Sequence, residues 1–318
     1  MLAYGPVPSR RLGYSLGINH IPVKYCSYSC IYCQVGRTSH LTSERQEFYP
    51  VDQIFSDVDR KVTECLKQNR NIDYLTLVPD GEPTLDKNLG KIIEGLKRFR
   101  IPVAVISNAS LIDRDDVQEE LAGADWVSLK GDSVEEILWK KINRPHRDFS
   151  LSKILDGMFT FKEKFAGELV TETMLIGAVN DNRNATNALI DFLLELKPDK
   201  SYLSIPIRPP AETRVTSPSP ESLMEIIKIC NERTSCIEFL FETEVGDFIS
   251  TGNIQADILS ITSVHPIREK ALRDMIARSG ESWKIVEDLL HANKLTSVFY
   301  RDENYFLRIF DKNEQIDR

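Results

Sequence analysis

The chain has 318 residues, 42% of them apolar and 28% charged, and its formal net charge at pH 7 is −8. This size suits a large α/β domain with a small second one, or two domains of medium size. The negative balance argues against indiscriminate attraction to nucleic acid or to an anionic membrane. No apolar run approaches the ~20 residues of a membrane span, and the N-terminus carries no apolar signal segment. We therefore expect a cytoplasmic protein with no membrane partner.

Strand-like and helix-like segments alternate along the first 240 residues. Each apolar strand segment is followed by residues with apolar side chains at helical spacing. The alternation predicts parallel βα units with right-handed crossovers. Six such units, against eight in a full barrel, predict an α/β fold of the partial (βα)6 TIM-like barrel type. The predicted strands cover residues 14–21, 72–78, 102–108, 126–130, 169–177 and 201–207.

The pattern changes near residue 245, which we take as the end of a barrel domain of residues 1–245. A connection over residues 246–262 leads to two helical segments and a β-hairpin, which predict a winged-helix-like module over residues 263–318. Residues 263–310 hold eight lysines and arginines and seven acids, whereas a DNA reader usually presents a basic face. The sequence therefore predicts no DNA partner, and docking to a protein or covering the barrel is at least as good an interpretation.

Unusual polar segments follow most of the predicted strands. A cysteine loop follows the first strand, "DGEPT" the second, "SNAS" the third, "KGD" the fourth and "RPPAE" the sixth. In parallel α/β folds the chemistry sits at the carboxyl ends of the strands. These segments are therefore expected to meet in one site.

The cysteine loop contains Cys26, Cys30 and Cys33, in the order Cys-x3-Cys-x2-Cys. Three other kinds of site explain the loop less well. A closed zinc site would lack its fourth ligand, and a disulfide would leave one thiol unpaired. A redox-active Cys-x2-Cys pair would not need the first cysteine. A cubane iron–sulfur cluster on three thiolates leaves one iron open, and an open metal position binds substrate or cofactor. The spacing therefore favours an iron–sulfur cluster. The remaining cysteines are predicted to lie in the core: Cys65, Cys230 and Cys236.

The cysteine spacing, with Tyr32 before the last cysteine, resembles the signature of the radical S-adenosylmethionine superfamily. The resemblance implies a 4Fe-4S cluster whose open iron binds S-adenosylmethionine. It also implies reductive cleavage of this cofactor to a 5′-deoxyadenosyl radical, with ferredoxin or flavodoxin as the reductant. The segments "GPVPSRRLGYSLGINHIPVKYCSYSCIYCQVGRT", "DGEPTL", "NRPH" and "RPPAE" are further similar to a subgroup related to wyosine-type tRNA-modifying Fe-S oxidoreductases.

The resemblance also assigns residues to the cofactor. "DGEP" is similar to the element that binds the ammonium group of S-adenosylmethionine, although Asp80 stands where glycine is common. Asn108 corresponds to a cofactor-proximal asparagine. The alternatives are an ordinary Asp-Gly turn before a helix and an asparagine in a strand-end turn. The implied cofactor-binding residues are Tyr32, Gly81, Glu82, Pro83, Asn108 and Ser128.

Three basic residues are candidates for substrate binding, and no catalytic residue is assigned. Lys130 replaces an acid that relatives commonly carry, and it should share a strand face with Ser128. It is equally well read as a surface lysine at a strand end. Arg208 ends the sixth strand, where a guanidinium suits a phosphate or carboxylate, and Arg144 is a weaker case. A structural ion pair is the alternative for both arginines.

Three functions stay open at this point. The first is an enzyme acting on a nucleic-acid base, for example in tRNA, or on a small organic molecule, for example an anionic one; Lys130 and Arg208 favour it. The second is an activase that makes a glycyl radical on a protein partner. The third is a non-catalytic iron–sulfur redox sensor that binds DNA through the winged helix. Only the third predicts no cofactor cleavage, and only the second requires a protein partner for activity.

Overall fold

The strands and helices follow the alternation that the sequence predicts. The computed structural model describes residues 2–242, 247–248 and 250–310. In chain order the strands are β1 (Ala3–Ser9), β2 (Gly13–Ile18), β3 (Tyr25–Cys26), β4 (His40–Leu41), β5 (Tyr74–Leu77), β6 (Val103–Ser107), β7 (Trp126–Lys130), β8 (Glu168–Met174), β9 (Lys200–Ser204), β10 (Ile237–Leu240), β11 (Ile267–Arg268), β12 (Leu295–Tyr300) and β13 (Glu303–Arg308). The helices are α1 (Val51–Lys67), α2 (Leu89–Leu96), α3 (Asp115–Leu121), α4 (Glu136–Asn143), α5 (Leu151–Lys164), α6 (Arg183–Leu196), α7 (Pro220–Arg233), α8 (Ile254–Val264), α9 (Glu269–Ser279) and α10 (Lys284–His291).

The main sheet has eight strands in the order β1-β2-β5-β6-β7-β8-β9-β10. All neighbours from β2 to β10 are parallel, and β1 pairs antiparallel with β2. The six predicted strands correspond to β2 and β5–β9. The fold is therefore α/β with a mostly parallel sheet, consistent with the predicted partial barrel.

Two strands of this sheet were missed by the sequence prediction. Strand β1 contains Pro6 and Pro8 and a bulge between Tyr4 and Val7. Proline cannot donate a ladder hydrogen bond, so such a segment fits only at a sheet edge. Strand β10 is four residues long and only partly buried. It adds a seventh parallel strand to the six that were predicted.

The two faces of the sheet carry different side chains. Val127 and Leu129 of β7 belong to the large cluster that also contains helix residues such as Ile54. Trp126, one position earlier, packs in a separate small cluster with Ala104, Val170 and Tyr202. We call the face that carries this small cluster the inner face. Because side chains alternate along a strand, Ser128 and Lys130 lie on the inner face with Trp126.

The C-terminal part packs directly on the first strand. Its three-stranded sheet has the order β11-β13-β12, and its core joins α8, α9 and α10 to Tyr4 and Val7 of β1. Helix α8 lies largely within the segment that the sequence interpretation treated as a connection. The predicted boundary at residue 245 and the predicted end of the module at 311–318 lie outside the described residues. None of the described helices is long and apolar enough to cross a membrane.

Specific polar contacts also hold the C-terminal part in place. Lys61 of α1 and Asp257 of α8 form an ion pair with a 2.7 Å Nζ–Oδ1 distance, and both side chains are buried. The Tyr300 and Tyr305 hydroxyls donate to the carbonyls of Pro206 and Ile207, each at 2.9 Å. The ion pair joins α8 to α1, and the two tyrosine contacts join the C-terminal sheet to the segment that follows β9, where Arg208 stands.

Candidate functional site

The cysteine loop lies between β2 and α1 and is folded by its own backbone. The Cys33 N–H donates to the Cys30 carbonyl at 3.1 Å, and the Gly36 N–H donates to the Cys33 carbonyl at 3.1 Å. The Thr42 N–H donates to the carbonyl of Cys26, where β3 pairs with β4. All three cysteines are free and half-buried. One short segment therefore presents three thiols together.

The surroundings of the thiols suit thiolate ligands of a cluster. Side-chain amides of Asn108 and Asn143 lie 3.6 Å from Cys26 Sγ and 3.4 Å from Cys30 Sγ, as donors to sulfur. Burial raises the pKa of Cys30 to about 12 and raises the pKa of Cys26 well above its ordinary value, where nearby Glu82 adds to the effect. A positively charged metal centre offsets this penalty, and N–H donors to sulfur tune such a centre.

The three cysteines do not form a site for a single ion. In the described part of the chain, no group of three His, Cys, Asp or Glu side chains is arranged to hold one metal ion. A cubane cluster does not require three side chains to surround one metal ion, because each thiolate binds a different iron atom. The donor set therefore fits a cluster bound by three cysteines.

The "DGEP" segment after β5 lies against the backbone that leads into Cys26. The Lys24 N–H donates to the Asp80 carbonyl at 3.1 Å, and the Glu82 N–H donates to the Tyr25 carbonyl at 3.2 Å. A Cβ atom on Gly81 would lie 1.7 Å from the Tyr25 carbonyl oxygen. Only glycine permits this approach, so the second residue of "DGEP" has a steric reason to be glycine. Pro83 then opens a short 3₁₀ turn, Pro83–Leu85.

Glu82 is buried and links the ends of β5 and β6. Its Oε1 accepts hydrogen bonds from the Thr84 N–H, the Thr84 hydroxyl and the Ser107 hydroxyl at 3.1, 2.7 and 2.6 Å. Its Oε2 accepts from the Asn108 N–H at 2.7 Å. Burial raises the pKa of Glu82, and these hydrogen bonds oppose the rise. The Asn108 side chain continues to Ser27 Oγ at 2.8 Å, so "DGEP", "SNAS" and the cysteine loop form one connected network.

Asp132 is the centre of a second network, around Cys30. Its Oδ2 accepts from the Tyr32 hydroxyl and from Asn143 Nδ2, and its Oδ1 accepts from the Met174 N–H. Asn143 is the same side chain that donates to Cys30. The sequence analysis assigned no role to Asp132 or to Asn143. The signal in the sequence for this network was the acid of "KGD", which closely follows a predicted strand.

Lys130 lies on the inner face and is not a surface residue. Its Nζ is 3.4 Å from Glu172 Oε1 and 5.2 Å from the centre of the Tyr32 ring. Arg11 pairs with the other oxygen of Glu172. Burial lowers the pKa of Lys130. Ser128, on the same face, has a buried hydroxyl for which no partner occurs among the described residues. The surface-lysine interpretation is therefore wrong.

The two candidate arginines have different surroundings. Arg208 Nη1 donates to Gln34 Oε1 at 2.7 Å, which places this guanidinium next to the cysteine loop. Arg144 Nη1 pairs with Glu212 Oε1 at 2.9 Å, and Glu212 also pairs with Arg37. The geometry of Arg144 thus matches the structural ion pair that was its alternative.

The three remaining cysteines differ in how deeply they are buried. Cys65 and Cys230 are fully buried, as predicted. Cys236 is only half-buried, so its assignment to the core was wrong; it stands just before the short strand β10 and contacts the Thr234 hydroxyl. A side chain beside an edge strand is covered by neighbouring residues on fewer sides than a helix side chain that faces the sheet. This explains why Cys236 is less buried than Cys65 and Cys230.

A sequence profile of the Radical SAM superfamily matches residues 20–193, a range that includes the cysteine loop and both networks. The chain therefore belongs to the radical SAM superfamily, whose cofactors are a 4Fe-4S cluster and S-adenosylmethionine, so the predicted cofactors are confirmed at the level of the family. Over 309 residues the chain is 46% identical to the UPF0026 protein MJ1312 of Methanocaldococcus jannaschii, covering 96% of each protein.

Two solved structures share the fold. A radical SAM methyltransferase from Sphaerobacter thermophilus matches 71% of this chain and 66% of its own, at 16% identity and a TM-score of 0.55. TYW1 with a lysine-pyruvate adduct bound matches 70% of this chain and 74% of its own, at 15% identity and a TM-score of 0.54. Identities this low establish a shared fold and carry no substrate from one protein to another.

Proposed function

We propose that this chain is a radical S-adenosylmethionine enzyme in which Cys26, Cys30 and Cys33 bind the 4Fe-4S cluster. In this proposal the ends of β5, β6 and β7 hold S-adenosylmethionine, and the main sheet is a partial TIM-like barrel of six βα units with β10 added. The observation that carries the proposal is the network from Glu82 through Asn108 to Cys26. It joins the predicted cofactor residues to the first predicted cluster ligand.

When bound and reduced, the cluster and S-adenosylmethionine supply a 5′-deoxyadenosyl radical that takes a hydrogen atom from the substrate. The chain positions the reactants and excludes water around them. Asp132 orients Tyr32 and Asn143, and Asn143 donates to Cys30. Radical SAM enzymes usually need an external reductant. Ferredoxin or flavodoxin in the cytoplasm is the donor that we propose.

The carboxylate of Glu82 provides a test of cofactor binding. We expect Glu82→Gln to keep its iron and to bind S-adenosylmethionine at least about tenfold more weakly, because a hydrogen bond to a charged group contributes about 1.5–3 kcal/mol. Glutamine keeps an acceptor for the buried donors of Thr84 and Ser107 but loses the acceptor for the Asn108 N–H, so circular dichroism is needed to check that the variant is folded. Anaerobic equilibrium binding and iron analysis measure the two effects.

The control for this experiment is Glu94→Gln, because the Glu94 side chain is 77% exposed on α2. Reduced wild-type protein should also release 5′-deoxyadenosine slowly without any substrate. Equal cofactor affinity in Glu82→Gln and wild type would remove Glu82 from the cofactor site. Release of S-adenosylhomocysteine alone would replace radical chemistry with a plain methyl transfer.

We further propose that the C-terminal part is a winged-helix-like module. Its support is the order α8, β11, α9, α10, β12, β13 and the antiparallel pairing of β13 with both β11 and β12. The domain division at residues 245 and 263 stays part of this proposal. The core shared with β1 favours a role in completing the barrel over a role in reading DNA.

DNA binding separates the enzyme from the redox-sensor alternative. Basic side chains of α9 and α10 are engaged within the module: Arg273 pairs with Glu269 and stacks on Trp283, and Lys284 pairs with Asp288. We therefore expect the intact protein to bind duplex DNA no tighter than about 10⁻⁴ M at physiological salt. A titration at two salt concentrations tests this. Tight, sequence-selective binding would favour the sensor.

The substrate is the remaining part of the proposal. The relation to wyosine-type tRNA-modifying enzymes rests on the quoted sequence motifs. Anaerobic incubation of the reduced enzyme with tRNA and with pools of small molecules tests both substrate classes. Product formed without a second protein supports the enzyme, whereas activity only with a protein partner supports the glycyl-radical activase.

A further inference from the structure

Helix α4 ends against the cysteine loop, at the first residue of the segment "NRPH". The Ser29 and Ile31 N–H groups, on either side of Cys30, donate to the Asn143 and Ile142 carbonyls respectively, each at 2.9 Å. The last carbonyls of a helix have no partner within the helix, so the loop satisfies two of them. This pairing fixes Asn143, the last residue of α4, beside the middle cysteine.

The side-chain amide of Asn143 is buried and has one acceptor for each of its two N–H bonds. Its Nδ2 lies 2.6 Å from Asp132 Oδ2 and 3.4 Å from Cys30 Sγ. A carboxylate and a ligating thiolate only accept hydrogen bonds, so the amide must turn its NH₂ group, and not its oxygen, towards them. One N–H bond therefore anchors the amide to Asp132, and the other is directed at the sulfur of Cys30.

Asp132 is itself held in place from several directions. Its Oδ1 accepts from the Met174 N–H at 2.8 Å, and its backbone carbonyl accepts from Asn180 Nδ2 at 3.0 Å. The Tyr32 hydroxyl donates to the same Oδ2 that receives Asn143. The backbone of Asn143 is thus fixed by the cysteine loop, and its side chain is fixed by an acid that is bonded to β8 and to the segment that follows it.

Two asparagine side chains lie near loop thiols, and Asn143 is the better placed of the two. The Asn108 amide is 3.6 Å from Cys26 Sγ, but it is only 2.8 Å from Ser27 Oγ. Asn108 is half-buried, whereas Asn143 is 2% exposed. A hydrogen bond is electrostatically stronger where water is excluded. Asn143 is therefore the side-chain donor from which we expect the larger effect on a bound cluster.

We propose that Asn143 is a positioning residue that raises the reduction potential of the cluster through Cys30, with Asp132 orienting its amide. Reduction adds negative charge to a cluster, and N–H donors to its ligand sulfurs stabilise that charge. The donor from Asn143 thus makes it easier for an external reductant to deliver an electron. The inference rests on the proposed function, because it requires Cys30 to be a cluster ligand.

The test is an anaerobic redox titration of the full-length, cluster-loaded protein, followed by electron paramagnetic resonance. Asn143→Leu removes the donor and keeps a branched side chain that excludes water. We expect the equilibrium constant for one-electron reduction to fall about tenfold, which lowers the potential by about 59 mV, with unchanged iron content. Asn184→Leu is the matched control, since Asn184 is exposed on α6. Its potential should equal that of the wild type.

Circular dichroism and iron analysis check each variant; if Asn143→Leu is unfolded or lacks the cluster, Asn143→Met takes its place, with the same shift expected. Asn143→Gln keeps an amide donor, so its potential should stay closer to that of the wild type. An unchanged or raised potential in the apolar variant, or an equal shift in Asn143→Gln, overturns the inference.

Failure of both apolar variants to fold or to hold the cluster would make Asn143 a purely structural residue and would also overturn the inference. The proposed function has separate readouts, namely the iron content of the wild type and its cleavage of S-adenosylmethionine. A wild-type protein that holds the cluster and cleaves the cofactor, beside an unshifted Asn143→Leu, refutes only this inference. A wild-type protein without a cluster refutes the proposed function.

Discussion

Replacing Cys26, Cys30 or Cys33 with alanine should abolish the 4Fe-4S cluster. In the proposed function each thiolate would supply a bond to a separate iron, and among the described residues no group of three His, Cys, Asp or Glu is arranged to take over metal binding. Wild-type protein reconstituted without oxygen should bind about four irons and four sulfides, and each variant should lose most of its iron and its visible charge-transfer absorbance. Iron and sulfide analysis with absorbance spectroscopy measures the loss.

Cys65→Ala and Cys230→Ala are the matched controls, because both side chains are fully buried and neither belongs to the cysteine loop. They should retain full iron and lose some stability, since alanine leaves a small cavity. Full iron in any loop variant would contradict the assignment of the cluster ligands. Loss of iron in the controls would show that the assay reports on folding and not on ligation.

Features set by short stretches of sequence could be predicted. The cysteine spacing lies within eight residues, and "DGEP" adjoins a strand whose apolar pattern is clear. The cap of α7 is another local feature: Ser219 accepts from the Ser222 N–H, and Pro220 begins the helix. Such features depend on neighbouring residues alone, so they are readable before the chain is folded.

Contacts between distant parts of the chain could not be predicted. Asn143 and Cys30 are 113 positions apart, and Arg208 and His265 are 57 apart. No spacing rule connects such pairs, because the topology of the sheet brings them together. The same reason explains β1: its prolines argued against a strand until its place at the sheet edge, under α8, was known.

The contacts of the C-terminal part change the interpretation of its role. From sequence alone its near-neutral charge argued only against DNA binding. In the structure it buries Tyr4 and Val7 of β1, and its Val264 and His265 line a cavity together with Gln34 of the cysteine loop. The C-terminal part therefore shares a core with the edge of the main sheet and lies beside the cysteine loop.

Gly81→Ala should have the second large effect, through the contact between "DGEP" and the cysteine loop. The new Cβ would lie 1.7 Å from the Tyr25 carbonyl oxygen. Hydrogen bonds from Lys24 to Asp80 and from Glu82 to Tyr25 hold the two backbones together, so relief requires their separation. We expect a loss of about 1–3 kcal/mol of stability, typical of overpacking, and loss of most cleavage of S-adenosylmethionine. Thermal melting and 5′-deoxyadenosine release measure the two effects.

Gly131→Ala is the matched control for stability alone, because a Cβ on Gly131 would have no described atom beyond its chain neighbours within 4 Å. Gly131 is also absent from the glycines with positive φ, so alanine fits its backbone without strain. Its stability should therefore stay within about 0.5 kcal/mol of the wild type. If Gly81→Ala melted like Gly131→Ala and cleaved cofactor like the wild type, the close approach of the two loops would not be required. A folded Gly81→Ala protein that keeps its iron but no longer cleaves the cofactor would instead show that "DGEP" must lie against the cysteine loop for the cofactor to react.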